Sequence, residues 1–367
     1  MKVPFSIRRS APFSPVADST AANGSRSSLR LSLLLPCACG LLATLSCGRA
    51  PERPAPPRRP VAPAVPFDAV HGTQALARVA SLLALGPRDA GTPGARRAAE
   101  WIADQLKRDG LPAQIDTFTV ETPSGSLTCH NVTAELSAAQ RPTTRPPPGD
   151  WLVLLSHFDT KSGIHTNFLG ANDGGSSTGL LLELARFLRE HPPASCNILF
   201  GFVDGEECRV NFGPNDGLHG SRRLATRLVA GKRAVRAVIL LDMIGDRDLG
   251  VTLPSNGSPD LTLLALECAR ECGAQDSSFR LADGGILDDH QPFLDAGFPA
   301  VDLIDFAYGS APGLNDYWHT PADTLDKLSP ASLATVGRVA TGMIRHLDAN
   351  LSGSVQTHAR ISSRTRQ

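Results

Sequence analysis

Three long apolar runs each end in residues that can carry charge or bind a metal. They are "WLVLLSHFDT" (151–160), "CNILFGFVDGEE" (196–207) and "AVRAVILLDMIG" (234–245). Unbroken apolar runs of this length fit strands buried on both faces, as in parallel sheets. Helical periodicity lies between and around them, in "GARRAAEWIADQLKRDG" (94–110), "GLLLELARFLREH" (179–191), "SPDLTLLALECARECG" (258–273) and "SPASLATVGRVATGMIRHL" (329–347). "QIDTFTVE", "CHNVTAEL" and a late "PAVDLIDF" read as further strands. Strands alternating with helices predict an α/β domain around a largely parallel sheet. Ligands of such sheets bind beyond the carboxyl ends of the strands, which is where the polar residues fall.

The chain has 367 residues, long enough for one large domain or two small ones. Its net charge is zero but unevenly spread. Lys2, Arg8, Arg9, Arg26 and Arg30 face only Asp18 in the first 47 residues, so the remainder is mildly acidic. A nucleic-acid partner, which calls for a basic face, is not expected. The basic N-terminus precedes a short apolar run, Leu31 to Leu45, that suits a signal-peptide core better than a membrane span. It closes on "ATLSCGRA", which resembles a bacterial lipobox with Cys47 as the lipidated residue.

Residues 1–47 are therefore expected to be a targeting segment and 48–66, rich in proline, a linker. Residues 67–350 are expected to form the catalytic domain and 351–367 a flexible tail. Export follows, as an envelope lipoprotein or a secreted protein, with membrane contact only through the lipid. A monomer is expected. Beyond the targeting segment stand Cys129, Cys196, Cys208, Cys268 and Cys272, an odd set with no CxxC, too sparse for a disulfide scaffold. Cys268 and Cys272 are expected in the core of a helix.

The chemistry-bearing residues form a constellation. His157 and Asp159 end the first run, Glu206 and Glu207 the second, and Asp242 the third. Asp173 lies in a Gly-rich loop before a helix. "ILDDHQPF" supplies Asp288, Asp289 and His290, and "YWHTPADT" supplies Trp318 and His319. Alone, each has an ordinary reading: a solvated histidine, a helix cap, a turn residue. Together they are a set of His, Asp and Glu suited to zinc. No HExxH, GxSxG or phosphate-binding loop is present.

These segments resemble those of the zinc aminopeptidase superfamily often called M28. The match runs in order over about residues 67–350 and includes "SHFDT", "GANDGGSSTG", "DGEE", "LDMIG", "DDHQPFLDAGFPA" and "WHTPADTLDK". The resemblance implies a three-layer sandwich with a largely parallel, mixed central sheet flanked by helices. It implies that Asp173, Glu207 and His319 hold zinc, that Glu206 is the general acid/base, and that His157 and Asp242 sit where two-zinc members hold a second ion. Asp159, Asp289 and His290 would support them.

Within the superfamily, the stretch "CRVNFGPNDGLHGS" (208–221) resembles an insertion of glutaminyl cyclases, as do "DDH" and the aromatic before His319. Ser156 stands where animal cyclases carry a disulfide cysteine. That likeness implies cyclisation of an N-terminal glutamine on peptides or proteins to pyroglutamate, with loss of ammonia. Asp242 and Asp288 would form an acid network with Glu206 as catalytic groups, and Phe212 and Trp318 would wall the pocket. The alternatives are a two-zinc aminopeptidase and an inactive binding ectodomain of the same fold.

Overall fold

The computed structural model describes residues 70–139, 150–274 and 276–364, with backbone alone at 276 and 352–364. The expected targeting segment and linker lie outside the described residues. So do residues 140–149 of a second Pro-rich stretch.

Two helices come first, α1 (Gly72–Leu83) and α2 (Pro93–Arg108). Thr92 caps α2 by accepting from Ala95 N, a proline fills its first position, and Lys107 and Arg108 face the negative end of its dipole. A hairpin follows, β1 (Ala113–Thr122) and β2 (Gly125–Leu136), and then β3 (Asp150–His157), α3 (Gly175–Glu190), β4 (Asn197–Val203), α4 (His219–Ala230) and β5 (Ala234–Asp242). The chain continues through β6 (Val251–Leu253), α5 (Pro259–Glu271), β7 (Phe279–Leu281), α6 (Gln291–Asp295), β8 (Ala300–Ile304) and α7 (Pro330–Arg364).

The eight strands form one mixed sheet in the order β1-β2-β4-β3-β5-β8-β6-β7. The four central strands run parallel, and the β1–β2 hairpin joins them antiparallel through β4. Period-two burial sorts the side chains of β3. Leu152 and Leu154 enter a core shared with α1, α2, α3, α5 and α7, while Trp151, Val153 and Leu155 pack with α4 and α6 on the other face. This is the expected three-layer sandwich.

Two differences from the sequence reading concern helices. Helix α4, not among the helices expected from the sequence, begins at His219 within the 208–221 stretch and buries only Leu224, Ala225 and Leu228 besides its first turn. Its backbone starts from Leu218 at φ 55°, with no capping side chain to announce it. The backbone of α7 stays helical through Arg364, past the expected boundary at 350; no proline interrupts it.

Candidate active site

The carboxyl ends of β3, β4 and β5 bring the predicted residues together. His157 closes β3 and Asp242 closes β5, while Glu206 and Glu207 follow β4. Asp173 arrives from the loop before α3. There Gly174, at φ 73°, lets the chain pass so close that a Cβ would lie 2.9 Å from the Asp159 carbonyl and 3.0 Å from the His157 ring.

Asp173, Glu207 and His319 offer ligand atoms that lie within 4.8 Å of one another. His319 Nε2 is 3.0 Å from Glu207 Oε1 and 3.2 Å from Asp173 Oδ2. Asp173 Oδ2 is buried without a well-aligned hydrogen bond, as suits an oxygen aimed at a shared cation rather than at a proton. His157, Asp173 and Asp242 form a second such group, with His157 Nε2 at 3.2 Å from both Asp173 Oδ1 and Asp242 Oδ1. Asp173 belongs to both. Two imidazoles and three carboxylates of this kind fit zinc by donor chemistry.

Glu206 belongs to neither group. It is buried, and burial followed by the charge of neighbouring Glu207 pushes its pKa well above the usual carboxylate range. Burial likewise raises Asp242, to about 7. Burial alone would lower His319, but hydrogen bonds to Asp173 and Glu207 outweigh it and raise the imidazole to about 9. In His157 burial is outweighed by the Asp242 charge and by bonds to Asp159, Asp173 and Asp242, and its pKa lies well above ordinary.

Asp159 forks under the paired glutamates. Glu206 N donates to its Oδ1 and Glu207 N to its Oδ2, each at 3.1 Å. Asp289 and His290 are fully buried; His290 Nε2 lies 3.0 Å from Asn256 Nδ2.

Asp242 is bonded to His157 and lies close enough to Asp288 to feel its charge; Asp302, in the middle of β8, is a further acid beside Asp288. Asp288 and Asp302 are buried, and burial with the Asp288 charge drives Asp302 well above the usual range.

Further contributors had not been singled out as residues, although Asp323 lies within "WHTPADTLDK" and Asp216 within "CRVNFGPNDGLHGS". Asp323 accepts from Asn172 N (2.7 Å), Asp173 N (3.2 Å) and the Tyr308 hydroxyl (2.8 Å). Lys161 Nζ lies 3.2 Å from Glu207 Oε2 and donates to the Cys208 carbonyl. Asp216 gathers the loop after Glu207 by accepting from Arg209 N, Val210 N and Asn211 N.

Phe212 and Trp318 line a cleft of about 120 Å³ with Asp173, Glu206, Glu207, Asp242, Asp288 and His319. Ile286, Leu287, Ile304 and Phe306 complete its apolar walls. Trp318 stacks on His319 at 3.9 Å between centroids. His319 and Met243 take left-handed φ of 53° and 50°, a strain that surrounding structure has to hold and that clusters at functional sites.

A model of peptidase family M28 matches residues 131–344, more than half of the chain. The chain belongs to that family. Among M28-like relatives, it is 30% identical to a glutaminyl-peptide cyclotransferase of Bos taurus, over 68% of this chain and 75% of that protein. The crystal structure of an Acidobacteriales bacterium glutaminyl cyclase superposes with a TM-score of 0.69 at 33% identity, covering 81% of this chain and 99% of that one. A Porphyromonas gingivalis glutaminyl cyclase gives 0.67 at 29% identity, covering 77% and 99%. The M28 fold is thus common to these cyclases and this chain.

Proposed function

We propose that this chain is a zinc-dependent glutaminyl-peptide cyclotransferase, turning the N-terminal glutamine of peptides into pyroglutamate and ammonia. The observation that carries the reading is the cleft itself. It is small, about 120 Å³, walled by flat apolar groups, and floored by a ligand set beside a carboxylate, Glu206, that the set does not use. The similarity to glutaminyl cyclases over nearly their whole length supports it.

The α-amine nitrogen attacks the γ-carboxamide carbon, a lactam C–N bond forms, and the C–N bond to the leaving ammonia breaks. Asp173, Glu207 and His319 would hold zinc, which when bound would supply Lewis-acid polarisation of the γ-carbonyl. Glu206 takes the amine proton and returns it to the leaving nitrogen. Its pKa, raised by burial and by the charge of Glu207, makes it a better proton acceptor than an ordinary carboxylate. Asp242 and the Asp288–Asp302 pair offer acceptors to the free amine. Trp318 and Phe212 hold the side chain folded back on its own amine, which removes entropy from the barrier.

One observation favours a second reading. The group His157, Asp173 and Asp242 could hold a second ion, as a two-zinc aminopeptidase requires. A Gln-initiated and a Leu-initiated dipeptide separate the two. Ammonia and a pyroglutamyl product from the first, with the second intact, are expected; efficient release of leucine, and of free glutamine from the first, would make the chain a peptidase. Chelation should abolish turnover and zinc restore it, and full activity in metal-free protein would remove zinc from the proposal. We also propose export with processing at Cys47, to be read from the mass of the mature N-terminus.

A further inference from the structure

A second cluster of metal-binding side chains lies outside the cleft, where α5 packs on α7. Cys268, Glu271 and His346 offer ligand atoms that lie within 4.8 Å of one another. Cys268 and Glu271 are three apart on α5 and so share a face. His346 comes from α7, and its Nε2 lies 3.0 Å from Glu271 Oε2. The thiol is fully buried, whereas the Glu271 and His346 side chains keep 39% and 26% of their exposure, which leaves a way in from solvent.

Glu271 is also the last residue of α5. Carbonyls at that end present the negative pole of the helix, where a carboxylate is unfavourable and a cation is favoured. A cation bound there offsets both charges at once.

We propose that Cys268, Glu271 and His346 form a second metal site, for zinc, that ties α7 to α5. A thiolate, an imidazole and a carboxylate are three of zinc's usual donors, and water completes a tetrahedron. Burial pushes the Cys268 thiol up to about 12, so zinc must displace its proton, and binding strengthens as pH rises. The charges facing that thiol are Glu267, Glu271 and Cys272 on α5 and Arg345 on α7. The arginine favours the thiolate.

This site does not depend on the cyclase reading, and it has a signature of its own. Asp173, Glu207 and His319 include no cysteine, so a thiolate-to-cobalt charge-transfer band cannot come from them. Cobalt(II) chloride added to the chelator-stripped full chain should produce such a band, with an amplitude of one thiolate-bound cobalt per chain, and zinc should reverse it. Cys268→Ser should abolish it and His346→Ala should weaken cobalt binding at least about tenfold. Cys272→Ser should leave the band in place, and turnover in Cys268→Ser, His346→Ala and Cys272→Ser should stay within about twofold. His346 is partly exposed, so its replacement tests the site even if Cys268→Ser folds poorly. No band in the intact chain, or a band that survives Cys268→Ser, overturns the proposal.

Discussion

Asp159 makes the sharpest test of how the paired glutamates are held. Its two oxygens each accept one backbone N–H, from Glu206 and Glu207, and the residue is fully buried. Asp159→Asn keeps the shape but turns one acceptor into a donor. Whichever way the amide flips, one N–H loses its partner and meets an NH₂ instead. A buried unsatisfied group costs about 1–3 kcal/mol, so the two now facing each other cost roughly 2–5 kcal/mol. In a domain of this size that lowers the melting temperature by roughly 4–10 °C. The glutamates should also shift, since among the described residues no other side chain accepts from both amides. Zinc content, melting temperature and ammonia release from a Gln-dipeptide would be measured on the same sample. Wild-type values in all three would refute the fork as the anchor of the pair.

Glu206→Gln should keep fold and zinc while turnover falls by roughly a hundredfold or more; loss of zinc instead would exchange the roles of Glu206 and Glu207. Trp318→Ala removes the ring stacked on His319 and should weaken cyclisation without releasing metal, read as turnover against bound zinc. Asp246, buried beside Asp305, has its pKa raised to about 6 by burial first and that neighbour second. A folded pKa above the unfolded one gives stability that is full at low pH and is lost as pH rises through about 6. Asp246→Asn should therefore stabilise the protein at pH 7.5 by about 1–2 kcal/mol after screening, and make no difference near pH 4, in paired denaturation curves.

The parts legible in the sequence were those whose burial or chemistry leaves a local pattern. A strand covered on both faces must be apolar throughout, so β3, β4 and β5 stood out, and the residues just past their ends stood out against them. The Gly-rich loop marked Asp173 because close approach there excludes a side chain. Strands β6 and β7, of three residues each, are too short to show a period. Asp323 and Asp216 act by accepting backbone N–H groups from distant or irregular chain, and acceptors of that kind follow no spacing rule. Asp302 was readable and missed: a carboxylate within the otherwise apolar "AVDLI" of β8 needs a partner. Asp288 and Asp242 were both placed at the cleft; that Asp302 joins them follows from β8 lying beside β5, which only strand order shows.

The bonds from Asp323 to Asn172 N and Asp173 N span about 150 residues of chain. Contacts of such separation close the largest loops and are entropically the slowest to form. Asp173 can take up its final position only once the segment after β8 has docked, although its own loop was synthesised far earlier. A metal group that depends on this contact would be completed late in folding, after the segment following β8 has docked. Zinc uptake followed during refolding would report completion of the fold, not the first collapse around β3.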